Sequence, residues 1–195
     1  MRASLPEREP AQVAQWLSER VFERRLEKNR QAGGASFLLH DGPPYANGSI
    51  HIGHVLNKVL KDIVVKRALL EGKVATFVPG WDCHGLPIEL AVEKQLKDAK
   101  KNKAELSPLE IREMCQTFAQ SQVDRQRLEF QRMLVFADWK NPYLTMAPAY
   151  EAEIVRELGR CAEKGVLFKG NKPVYWCPTC QTALAEAEIE YAQHK

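Results

Sequence analysis

At 195 residues, 45% hydrophobic and 27% charged, the chain has the composition of a soluble globular protein, with room for one good core or a core plus part of a second unit. A net charge of +3 permits a nucleic-acid partner without arguing for one, and no apolar run approaches the roughly 20 residues that span a bilayer. Five cysteines, an odd count with one close pair, speak for a reducing compartment and against a disulfide scaffold, and the first residues carry neither a signal-peptide core nor an acid-poor transit sequence.

In chain order, residues 1–30 read as a leader and a helix opened at Pro10, with Val13, Trp16, Leu17, Val21 and Phe22 near helical spacing and Trp16 as a packing anchor. Residues 31–36 are a connector. Residues 38–54 then organise the rest. Phe37, Leu38 and Leu39 make a strand; Asp41, Gly42, Pro43, Pro44, Asn47 and Gly48 make a tight loop; and His51-Ile52-Gly53-His54 opens a helix. A strand, loop and helix start in that order offer backbone N–H groups and a positive dipole end to an anion. Gly53 leaves space for close approach, and each histidine can donate to a phosphoryl oxygen, so the stretch reads as a phosphate site. The alternative is two histidines that merely cap a helix.

Val55, Leu56, Val59, Leu60, Ile63, Val64 and Leu70 predict an amphipathic helix with Lys58, Lys61, Asp62 and Lys66 on its other face and Gly72 as its cap. Residues 74–78 follow as a second strand, completing a parallel strand–helix–strand crossover. That strand ends in Gly80-Trp81-Asp82-Cys83-His84-Gly85. Ligands gather at the carboxyl ends of strands in open parallel sheets, so the two loops should face one pocket. Asp82 is then either a carboxylate for an ammonium group or a turn aspartate. Cys83 and His84, adjacent in sequence, read as loop packing in preference to a nucleophile and its base.

A helix starts at Pro87, and residues 94–103 form a basic run that is a solvated face or a contact to a nucleic-acid backbone. Ser107-Pro108-Leu109-Glu110 is a capping box for a helix running to about residue 134, which should bury Ile111, Met114, Cys115, Phe118 and Val123. Residues 139–146 are irregular or extended. Pro148 opens another helix, with Ile154, Val155, Leu158 and Cys161 on one side and Gly165 at its end. Residues 166–168 and 174–176 predict a β-hairpin leading into Cys177-Pro178-Thr179-Cys180. These two thiols are half of a zinc site whose other ligands lie outside this chain, or a metal-free turn; Cys115, Cys161 and His194 are poorly spaced to help.

His40-Asp41-Gly42-Pro43-Pro44-Tyr45-Ala46-Asn47-Gly48 running into His51-Ile52-Gly53-His54, with Gly80-Trp81-Asp82-Cys83-His84-Gly85-Leu86-Pro87-Ile88-Glu89, resembles class I aminoacyl-tRNA synthetases, and among them the isoleucine enzymes of the bacterial type. The likeness continues through Pro142-Tyr143-Leu144-Thr145-Met146 and Val174-Tyr175-Trp176-Cys177 to Ala183-Leu184-Ala185-Glu186-Ala187-Glu188. It implies an α/β fold: the first half of a Rossmann-like nucleotide-binding domain at residues 36–140, behind an N-terminal helical extension at 1–35. Residues 141–195 would hold a helix, a β-ribbon and the Cys177/Cys180 knuckle at the root of the editing insertion.

It also implies roles. His51 and His54 would be catalytic on the ATP phosphates, with Tyr45, Asn47 and Gly53 on the nucleotide side. Gly42 and Pro43 would wall the aliphatic side chain, and Asp82 would hold the α-ammonium. The implied substrates are L-isoleucine, ATP with Mg, and tRNA(Ile); the implied setting is a cytoplasmic monomer, without membrane attachment. The family's lysine-rich KMSKS loop is missing, so the resemblance implies an N-terminal piece that is a poor enzyme by itself. The competing reading is a non-catalytic module that binds tRNA or a partner through a zinc knuckle; a small nucleotidyltransferase that uses the histidine motif alone ranks third.

Overall fold

In a computed structural model, described here for residues 4–193, the chain divides within a helix, between Ala152 and Glu153. The first unit opens with α1 (Leu5–Ser18) and α2 (Val21–Gln31). The single helix expected from Pro10 onward is thus two. Pro10 lies inside α1, and the chain breaks at Arg20, whose φ of 54° is left-handed. Trp16 is 37% exposed and lines a groove with Val59, Met133 and Leu134.

β1 (Ser36–Leu39), α3 (Ile52–Leu70) and β2 (Val74–Phe77) form the expected crossover, with β1 and β2 parallel and Ser36 to Leu39 in register with Val74 to Phe77. Gly72, at φ 83°, turns the chain out of α3, its N–H on the Leu69 carbonyl and the next N–H on that of Ala68. The Asn29 side-chain amide donates to the Leu69 and Lys73 carbonyls at 2.8 and 2.7 Å, fastening α2 to that turn.

β2 continues through Val78 and Pro79 into β3 (Gly80–Trp81), which pairs in parallel with β4 (Tyr143–Leu144) on its other edge. Beyond β3, Asp82 bridges to Tyr45 in parallel fashion, its N–H on the Pro44 carbonyl and its carbonyl taking the Ala46 N–H, both at 2.9 Å. The loop leaving β1 therefore remains stitched to the strand beside it. α4 (Leu86–Asp98), a short 3-10 turn and α5 (Pro108–Arg132) lie between β3 and β4. The Ser107/Glu110 capping box forms as read, with the Ser107 N–H donating to the Glu110 carboxylate at 2.7 Å.

Two apolar clusters hold this unit. One gathers Phe22, Val65, Leu69, Ala75, Phe77 and Val135; the other gathers Ala46, Trp81, Ile88, Ala119, Val123 and Phe130. Of the α5 residues expected inside, Val123 is buried, whereas Ile111, Met114, Cys115 and Phe118 are only half-buried. α3 reverses its expected faces. Lys58 and Asp62 are buried, while Leu56, Leu60, Ile63 and Val64 are exposed. Pairing makes this burial tolerable: Lys58 meets Asp41, and Asp62 takes the Lys66 ammonium at 2.5 Å and the Phe136 N–H at 2.8 Å.

The second unit holds most of α6 (Pro148–Glu163), whose Ile154, Val155 and Leu158 are exposed. The hairpin expected at residues 166–176 does not form. Instead β5 (Trp176–Cys177) and β6 (Thr182–Ala183) pair antiparallel around the cysteine knuckle, with Gln181 left-handed at φ 54°. Val166, Phe168 and Val174 are exposed. His194 lies outside the described residues.

Candidate active site

The helix start at His51 to His54 carries the most specific geometry. His51 is the N-cap of α3, and its Nδ1 accepts the Gly53 N–H at 3.1 Å. In return His54 Nδ1 accepts the His51 N–H at 3.3 Å. The two rings stack with centroids 3.9 Å apart. The pair is a capping box built from imidazoles in place of the usual hydroxyl and carboxylate. The capping reading of these histidines is therefore correct, and it does not compete with the phosphate reading. A neutral imidazole carries one proton, so a ring that accepts at Nδ1 must hold its proton at Nε2. Both rings thus offer Nε2–H donors at the positive end of a 19-residue helix. A Cβ on Gly53 would stand 2.9 Å from His51 Cε1, so a side chain there would push the capping ring aside.

Protonation would place a hydrogen on the accepting nitrogen and break the cap. Burial, then the neighbouring His51 and Lys58, hold the His54 pKa below its ordinary 6.5. Its contribution to stability is therefore complete above pH 6.5 and is lost as pH falls through the lowered folded-state value. An NMR titration of the His54 ring should give a midpoint below 6.5; a midpoint above it would contradict the neutral cap.

Asp82 sits at the tip of β3, on the strand end joined to the loop of Pro44, Tyr45 and Ala46. Its Oδ1 accepts the His84 N–H at 3.3 Å and the Thr145 hydroxyl at 3.4 Å. The turn role is real, and it occupies one oxygen, leaving Oδ2 for a cation. Gly42, Tyr45, Asn47 and His51 are exposed, and Pro43 and Asp82 partly so, which makes this an open face. A Cβ on Gly42 would meet only the Lys61 ammonium, 4.0 Å away, so packing alone does not demand glycine there. Past Asp82 the chain lines a separate cavity of about 350 Å³ with Cys83, His84, Ile88, Arg112 and Cys115. Cys83 is buried and its thiol donates to the Trp81 carbonyl; burial pushes its pKa up, which suits packing and not nucleophilic attack.

Sequence reasoning missed the groups behind this face. Asp41 is fully buried, accepting from the ammonium groups of Lys58 and of Lys61 (2.8 Å) and from the Gly80 N–H at 3.2 Å. It joins β1, α3 and β3 in one polar knot. The Tyr143 hydroxyl donates to the Asp41 carbonyl at 2.7 Å, with its pKa pushed up to about 12 by burial, then Asp41 and Tyr150. Gln126 and Glu129 of α5 bind the loop before His51. The available signal was polar letters, Gln122 and Gln126, in phase with the core residues Val123 and Phe130.

In the second unit the Cys180 N–H donates to Cys177 Sγ at 3.4 Å, and hydrogen bonds from Cys180 and then Thr179 hold the Cys177 pKa below that of an ordinary thiol. Among the described residues, no group of three or more His, Cys, Asp or Glu could hold a metal ion. No helix among them is long and apolar enough to cross a membrane.

The strand tips of two parallel pairs, β1–β2 and β3–β4, thus carry the loop that leads to the imidazole-capped helix and the aspartate. The family model for class I tRNA synthetases (I, L, M and V) matches residues 11–195, and the chain belongs to that family. Several curated relatives share one name. Proteins called isoleucine–tRNA ligase are 55% identical over 191 residues in Methylococcus capsulatus, 54% over 195 in Syntrophotalea carbinolica and 52% over 195 in Caldicellulosiruptor bescii. The matches cover 98–100% of this chain and 20–21% of each relative, so the chain spans about a fifth of their length. Among solved structures, a LeuRS from Agrobacterium radiobacter K84, in a ternary complex with tRNA and LeuAMS, superposes with a TM-score of 0.69 at 23% identity. It covers 95% of this chain and 21% of that one, and supports the Rossmann-like fold.

Proposed function

We propose that this chain supplies the histidine half of the activation site of an isoleucine–tRNA ligase. The capped imidazole pair carries the reading: its Nε2–H donors and the N-terminus of α3 suit the phosphoryl oxygens of ATP. A carboxylate oxygen of L-isoleucine bonds to the α-phosphorus while the bridge to the β-phosphate breaks. Isoleucyl-adenylate forms and pyrophosphate leaves with the Mg that entered on the nucleotide. No proton need move. The chain has only to align the attacking oxygen and stabilise charge on phosphorus-bound oxygen. His51 and His54 do the second. Asp82 Oδ2 holds the α-ammonium, Gly42 and Pro43 wall the side chain, and Tyr45, Asn47 and Gly53 form the adenosine side. The adenylate then passes to the terminal ribose of tRNA(Ile). We place the full-length protein in the cytoplasm as a monomer, with the lysine-rich half of the site outside this chain and with these 195 residues poorly active by themselves.

The test is ATP–pyrophosphate exchange by the full-length protein with each amino acid in turn. Isoleucine should give the highest kcat/KM; no exchange, or faster exchange with leucine, would overturn the assignment.

Cys177 and Cys180 would supply two of the four thiolate or imidazole ligands that a structural zinc site needs, with the rest coming from outside this chain. The donated N–H and the lowered thiol pKa fit a thiolate ligand. Elemental analysis should find zinc in the full-length protein and its loss in Cys177→Ser; zinc retained at parental stoichiometry would exclude the knuckle.

A further inference from the structure

The loop between Tyr45 and Ile50 aims the histidines, yet its hydrogen bonds leave for a helix some 80 positions away in sequence. Gln126 is fully buried on α5. Its amide nitrogen donates to the carbonyls of Tyr45 at 3.0 Å and Gly48 at 2.7 Å, and its oxygen accepts the Trp81 Nε1–H at 3.0 Å. One turn on, Glu129 accepts the Ile50 N–H at 2.8 Å. The donors and acceptor of Gln126 are all used, and its partners lie on the loop before His51 and on the strand before Asp82. A fully satisfied buried amide of this kind fixes one arrangement of the backbone groups it binds.

We propose that Gln126, assisted by Glu129, is a positioning residue that sets the His51/His54 pair in register with Asp82. The inference rests on the adenylate-forming role above and adds residues to that site. Neither side chain need touch substrate: each acts through the backbone it holds.

Two substitutions separate aiming from packing. Gln126→Met keeps the volume and loses all three bonds; Gln126→Glu keeps the acceptor for Trp81 and turns the two donors into lone pairs facing carbonyls. Measured in the full-length protein, Gln126→Met should lower kcat for isoleucine-dependent exchange about 10²-fold, the cost of misplaced reacting groups, with a single cooperative melt retained. The loss should be non-additive with that of His54→Ala, because a histidine already out of place has little left to lose. Glu129→Leu should impair exchange, and Glu129→Gln, whose carbonyl can still accept from Ile50, should restore it. Parental kcat in Gln126→Met, or losses that simply multiply with His54→Ala, would overturn the inference. Should Gln126→Met not fold, equal exchange by Glu129→Leu and Glu129→Gln would overturn it instead. Absence of exchange in the unsubstituted protein would overturn the adenylate reading itself, and this inference with it.

Discussion

Asp41→Ala is expected to destabilise the first unit by about 3–5 kcal/mol, the cost of breaking a buried ion pair by removing one partner. That is a large share of the roughly 5–15 kcal/mol that holds a domain together. Among the described residues, Asp41 is the sole carboxylate in contact with two ammonium groups, and Lys58 is only 3% exposed. With the carboxylate gone, Lys58 would keep only the faces of Phe77 and Phe130, 5.6 and 5.3 Å from its ammonium. Such rings repay a fraction of a desolvated charge.

The sign of the pH dependence follows. Burial already lowers the Lys58 pKa from 10.5, and Asp41 offsets part of that. In the variant the offset disappears and the folded-state pKa drops further, while the unfolded value does not change. The folded state then binds fewer protons than the unfolded state between those two values, so stability should climb with pH across that window. Urea unfolding of Asp41→Ala at pH 7 and pH 9.5 checks both statements. Stability within about 1 kcal/mol of the parent at pH 7, against the 3–5 expected of such a pair, would mean the knot is incidental.

The second large effect is catalytic. His54→Ala should lower the rate of adenylate formation by two to three powers of ten, because a donor aimed at developing charge contributes about 3–4 kcal/mol. Binding of ATP should suffer less, since the charge on phosphorus-bound oxygen peaks in the transition state. The fold should survive, because the substitution removes one half of a helix cap, a matter of about 1 kcal/mol. Single-turnover measurements on the full-length protein would show a fallen rate with a nearly unchanged ATP KM. A rise in KM with kcat intact would recast His54 as a ground-state binder.

The elements around the site were legible because each had a local signature. The Gly72 turn and the Ser107/Glu110 box are read from neighbours within a few positions, the β1–α3–β2 crossover from the order of its elements, and all three form as read. The histidine motif and the strand tip at Asp82 were also visible as letters. What the letters could not show is which polar residues fold inward. The partners of the Gln126 and Asp41 side chains lie 45 to 81 and 17 to 39 positions away, and burial of a charge depends on such partners and not on helical phase. Helical phase alone put Lys58 and Asp62 outside and Leu56 and Leu60 inside, the reverse of what pairing produces. At 166–176 the apolar letters are likewise no guide to pairing: the strands that pair are Trp176–Cys177 and Thr182–Ala183, and Phe168 is 85% exposed.

His51 and His54 cap each other through Nδ1, and the proposed activation chemistry needs both to present Nε2–H to a phosphoryl group. Nitrogen-15 NMR of the two imidazoles, recorded before and after addition of a non-hydrolysable isoleucyl-adenylate mimic, reads which nitrogen holds each proton and whether the mimic reaches it. The expected spectrum shows unprotonated Nδ1 and protonated Nε2 on both rings at pH 7.5, with both Nε2 resonances moving when the mimic binds. Protons on Nδ1, or Nε2 signals indifferent to a saturating mimic, would contradict it.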